Sequence, residues 1–75
     1  MFLKFRVIEK DDDGVDRNID NIYECDAVSV DMVEKKVTLY VDDKNDETLH
    51  VEPGSKTLVW LMNNVGTTVD HWKFQ

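Results

Sequence analysis

The chain has 75 residues, with 16 Asp and Glu against 9 Lys and Arg, for a formal net charge of −7. A chain this short buries only about 60% of the surface its unfolded form exposes, so it must pack a thin core tightly or share burial with another copy, and a homo-oligomer is expected. The acidic excess opposes direct binding to nucleic-acid phosphates, and apolar runs such as Leu58 to Met62 fall far short of the roughly 20 residues a membrane helix needs.

Period-two alternation punctuated by Asp, Asn, Gly and Pro predicts one all-β domain over residues 1–75, a small antiparallel meander of five or six strands forming a twisted sheet or a partly open barrel. The opening MFLKFRVIEK alternates apolar with basic residues and lacks the continuous apolar stretch of a signal peptide, so a cytoplasmic chain is expected. The first strand is predicted over Phe2 to Glu9 and the second over Asn21 to Val30. A constant residue sum of 30 sets Lys4 against Asp26, Arg6 against Glu24, Lys10 against Asp20 and Phe5 against Cys25, matching charge with charge and apolar with apolar. Asp31 to Lys36 reads as a turn. Further strands follow over Lys36 to Val41, Thr48 to Glu52, Thr57 to Asn63 and Thr68 to Phe74. Sums near 67 and 90 pair Val30 with Val37 and Val41 with Leu49. Pro53-Gly54 suits the centre of a type II turn, and Asn63-Asn64-Val65-Gly66 suits the last turn. Beyond Asp26 the stronger apolar residues, Val28 and Val30, change face, which predicts a bend into a barrel or a face laid on a second subunit. Leu58 to Met62 is apolar on both sides and reads as a central or interface strand.

Enzymatic signatures are missing. The Asp11-Asp12-Asp13-Gly14 segment resembles part of an EF-hand loop, but Glu9 before it ends a strand where a helix should end, and Asp16 falls where an apolar residue is wanted. His50, His71 and the lone Cys25 offer too few ligands for zinc. Cys25 lies between Glu24 and Asp26, whose charges raise a thiol pKa, and it reads as a small core residue in a reducing compartment. The three glycines are isolated, so no phosphate loop exists. The expectation is a non-enzyme with no cofactor and no metal.

Two features remain. The acidic runs Asp11, Asp12, Asp13 and Asp42, Asp43, Asp46, Glu47 sit at predicted hairpin tips. They would form one negative patch if both tips share an end of the sheet, and such a patch can dock on a basic groove. Lys4 and Arg6, with Trp60 or Trp72 as a stacking surface, form the candidate site for a small anionic ligand.

A compact acidic chain with turns such as VDDKNDE and MNNVGTTVDHWKF resembles the small orphan proteins of bacteriophages, including anti-CRISPR and other anti-defence proteins. The resemblance spans the chain in size, charge and texture, and carries no motif. It implies stoichiometric binding: an inhibitor docking its acidic surface on a basic, nucleic-acid-binding defence protein. The alternatives are an oligomer that sequesters a nucleotide immune signal through Lys4, Arg6 and a tryptophan, and a structural assembly component.

Overall fold

The computed structural model describes all residues, 1–75, and is all-β. Seven strands form two antiparallel sheets: β1 (Phe2–Lys10), β2 (Asp16–Glu24), β3 (Ala27–Asp31), β4 (Lys36–Tyr40), β5 (Glu47–His50), β6 (Lys56–Met62) and β7 (Thr68–Phe74). The larger sheet runs β2-β1-β6-β7 and the smaller β3-β4-β5, and neither closes into a barrel. Alternation sends Leu3, Phe5, Val59 and Phe74 of the larger sheet inward against Val37 and Leu39 of the smaller. Cys25 and Val51 complete a single core. Strand β6, apolar on both sides, is central as its composition predicts.

The expected second strand is two strands. The nitrogen of Cys25 donates to the Met1 carbonyl at 2.9 Å and that of Asp26 to the Tyr40 carbonyl at 2.8 Å, so adjacent residues pair with different sheets and the chain turns a corner between them. This corner is the expected change of face after Asp26. It lets both apolar sides of the chain meet one core, Tyr23 from one sheet and Val28 and Val30 from the other. Strand β2 also starts at Asp16, five residues earlier than expected, because DRNID is an edge segment exposed on both faces and needs no apolar alternation.

The first hairpin pairs with a residue sum of 26, not 30: Arg6 faces Asp20, Lys4 faces Ile22 and Phe2 faces Glu24. The loop explains the correction. Asp11 Oδ1 accepts from the nitrogens of Asp13 and Val15, both at 2.9 Å, the Asp11 nitrogen donates to the Val15 carbonyl, and Gly14 takes φ 79°. This three-residue tip draws the strands together directly after Lys10. The β6–β7 loop repeats it, with Asn63 Oδ1 accepting from Val65 and Thr67. The β3–β4 register is as expected, Val30 against Val37. The β4–β5 register is shifted, with Leu49 facing Val37 and not Val41, because the chain turns early, the Lys44 nitrogen donating to the Val41 carbonyl at 3.2 Å, so that the ladder centres on Asp43 and not on Asn45. In both shifted hairpins the sum moves by an even number, so every side chain keeps its expected face. Pro53-Gly54 makes the expected turn, with Gly54 at φ 81° and the Ser55 nitrogen on the Glu52 carbonyl at 3.2 Å.

One core position is polar. Thr57, fully buried where β6 begins, has a hydroxyl with no hydrogen-bond partner. Thr57→Val removes that buried group at nearly constant shape, and urea unfolding should show a gain of about 1–2 kcal/mol.

Candidate protein-binding surface

The acidic runs lie at opposite ends of the larger sheet. Asp11, Asp12 and Asp13 form the β1–β2 tip beside Lys10 and Asp16, and Asp11 is occupied in holding that tip and in an ion pair with Arg17 at 3.7 Å. Strand β2 then carries the chain eight residues away, about 26 Å of extended backbone, to the corner where the β4–β5 loop is found. The two runs therefore make no single patch.

The corner gathers more negative charge than the sequence reading assigned it. With a register sum of 26, Glu24 faces Phe2 and Asp26 lies beyond the ladder, so neither meets the cation expected for it. Asp26 instead accepts from the Asp42 nitrogen at 2.7 Å and ties the acidic loop to the corner. A cleft of about 540 Å³ opens here, lined by Ile22, Tyr23, Glu24, Asp26, Val41 and Glu47 among others, with Lys44 as its cation. Asp42, Asp43 and Asp46 occupy the same loop, Asp43 with φ 61°. Ile22, 63% exposed, stands at the rim. Burial, foremost, and the charges of Asp26 and Glu24 push the Cys25 thiol up, against the lowering effect of the terminal ammonium. A raised pKa makes the Cys25 thiol a poor nucleophile, and the cleft presents carboxylates, apolar surface and the Lys44 ammonium.

A larger depression of about 640 Å³ at the other end mixes Glu9 and Asp16 with Lys10 and Lys56 and has Ile8 as its one apolar side chain. Its opposed charges leave little net field. No group of three or more His, Cys, Asp or Glu side chains converges as a metal site would require.

Of the four residues expected to hold an anionic ligand, three come together. Trp60 faces Lys4 across β1 and β6, with Lys4 Nζ 5.4 Å and Arg6 Cζ 5.2 Å from its ring centroid. Trp72 lies on the opposite side of the sheet, packed against the core. The cluster is satisfied from within: Asp20 receives Arg6 Nε at 2.7 Å and an Arg6 terminal nitrogen at 2.9 Å, and Lys4 Nζ approaches at 3.7 Å. The Arg6 hydrogen bonds hold the Asp20 carboxyl below the ordinary aspartate range, against partial desolvation, with the Arg6 and Lys4 charges adding to the lowering. A depressed folded pKa stabilises above the ordinary carboxylate value of about 4, and that contribution disappears as pH falls through the lowered value. Asp20→Asn should therefore flatten the acid limb of a stability-against-pH curve measured by urea unfolding.

No protein-family model, curated protein or solved structure matches the chain.

Proposed function

We propose that the protein is a non-catalytic binding domain that docks the acidic corner between its two sheets on a basic surface of a partner protein, in the manner of an inhibitor occupying a nucleic-acid groove. The observation that supports this reading is the cleft at the corner, where Glu24, Asp26 and Glu47 join Lys44 and Asn45 around apolar walls from Ile22, Tyr23 and Val41, with Asp42, Asp43 and Asp46 on the same loop. Carboxylates match the donors that a phosphate-binding Arg or Lys presents. The apolar walls supply contact area that charge alone lacks. The nucleotide-sequestering alternative draws on Lys4, Arg6 and Trp60, whose charges are already engaged by Asp20.

Titration of an isotopically labelled sample with an Arg-rich peptide tests the reading by NMR. Shift changes should concentrate at residues 22–26 and 41–47. Changes spread evenly over all acidic loops, or centred on Trp60, would reject it.

A further inference from the structure

The outer face of the larger sheet has no covering layer, although half-buried Phe2, Leu58, Trp60 and Met62 lie on it with exposed Ile22. The protein's accessible surface is 5292 Å², whereas a folded monomer of 8.8 kDa exposes about 4,800 Å². That excess belongs to an elongated body, 43 × 28 × 19 Å, whose larger sheet keeps one face bare.

Charge on this face is ordered, and the order selects an occupant. Lys4, Arg6, Lys10, Lys56 and Lys73, five of the nine basic residues, share it, while its carboxylates, Asp16, Asp20 and Glu24, all lie on edge strand β2. Cross-strand register sets the residues in rows. One row reads Asp20, Arg6, Leu58, Lys73, and the next reads Ile22, Lys4, Trp60, His71. We propose that this face packs on the same face of a second copy, about a two-fold axis parallel to the strands.

Such an axis reverses each row. Asp20 then lies over the second copy's Lys73, Arg6 over its Leu58, Lys4 over its Trp60 and Ile22 over its His71, each contact occurring twice. Stacked sheets stand about 10 Å apart, a gap that extended Asp and Lys side chains can span. A two-fold axis across the strands would set β2 over β2 and acid over acid. Edge-to-edge pairing of β2 with itself is opposed similarly, since an antiparallel register centred on Asp20 places like charges side by side. Four strands about 4.8 Å apart and some seven residues long give a footprint of roughly 400 Å² in projection. Side-chain relief enlarges it toward the roughly 800 Å² per partner of a standard interface. The packed face and the acidic corner share Ile22 and Glu24 at the end of β2, but the inference rests on the order of charges along the rows and not on the basic-partner reading.

The test is sedimentation of the full chain over a wide concentration range, followed by a charge exchange. The wild type should run at twice its monomer mass. Lys73→Asp and Asp20→Lys should each weaken the dimer roughly tenfold or more, by placing like charges opposite each other. Mixing the two variants should restore dimers, because only the mixed pair has both contacts complementary. A wild type that stays monomeric throughout overturns the proposal without reference to any variant. A dimer indifferent to both substitutions overturns it equally.

Discussion

Leu39→Ala is expected to remove a large share of the protein's stability. Leu39 is 1% exposed in the middle strand of the smaller sheet, opposite Val28, and belongs to the single core shared with Leu3, Phe5 and Val59. Truncating a buried Leu costs about 2–5 kcal/mol, depending on how far the cavity collapses. A 75-residue domain has a total stability of about 4–11 kcal/mol on the usual per-residue scale, so this single change consumes a large share. Urea denaturation followed by tryptophan fluorescence should show a midpoint shifted sharply downward. Leu39→Met, which conserves volume, should cost less than about 1.5 kcal/mol. Equal effects from both changes would mean that the two sheets do not share a packed core.

The second large effect concerns binding. Replacing Asp42, Asp43 and Asp46 by Asn together with Glu47 by Gln removes four charges from the β4–β5 loop and the first residue of β5 at the acidic corner. Association with an Arg-rich peptide at low salt should slow by roughly tenfold or more, because convergent charge steers encounter. Its salt dependence should fall as well. Neutralising Asp12 and Asp13, at the far end of β2, supplies the comparison. Equal slowing per charge removed at both ends would mean that net charge alone governs association. Asp11 is left out of that comparison because its carboxylate holds the hairpin tip. Stopped-flow kinetics on the two variants separates the outcomes.

Much of the fold is legible in the residues, and the parts that are not have physical reasons. The β3–β4 hairpin is readable because Asp31 Oδ1 accepts from the Val33 and Glu34 nitrogens, closing a short turn that leaves the apolar pattern little freedom. The β1–β2 register is harder to read. Apolar alternation repeats every two residues, so sums of 26 and 30 put the same side chains on the same faces, and complementary charges can be found in both. The deciding information lies in the loop. Asn63-x-x-Gly66 and Asp11-x-x-Gly14 adopt the same hydrogen-bonded tip, and applying the Gly-bearing three-residue tip to Asp11 gives the observed sum directly. The first half of β2 escapes pattern reading because both of its faces are exposed. The β1–β6 pairing escapes it because partners such as Lys4 and Trp60 are far apart in sequence.

The candidate site follows the same division. Asp42, Asp43, Asp46 and Glu47 are conspicuous as a run of acids. Glu24 and Asp26 are not, because the expected register gives each of them a cation. Only the correct pairing, together with the corner at Cys25-Asp26, releases them into the cleft. Lys4, Arg6 and Trp60 converge as expected, with Asp20 and not Glu24 or Asp26 as their counterion. Trp72 could not be told from Trp60 by composition, since the strands bearing them are partly apolar on both sides.

The register of the first hairpin therefore decides which charges are engaged and which are free, and NMR tests it most directly. Backbone hydrogen bonds join Met1 to Cys25 and Asp11 to Val15. Alternation makes the even-numbered pairs between them the close, non-hydrogen-bonded ones, whose α-protons approach within easy range of a nuclear Overhauser effect. Strong α-proton contacts are expected between Arg6 and Asp20 and between Lys4 and Ile22. Contacts between Arg6 and Glu24 and between Ile8 and Ile22 in their place would return Glu24 to its cation and contradict the account.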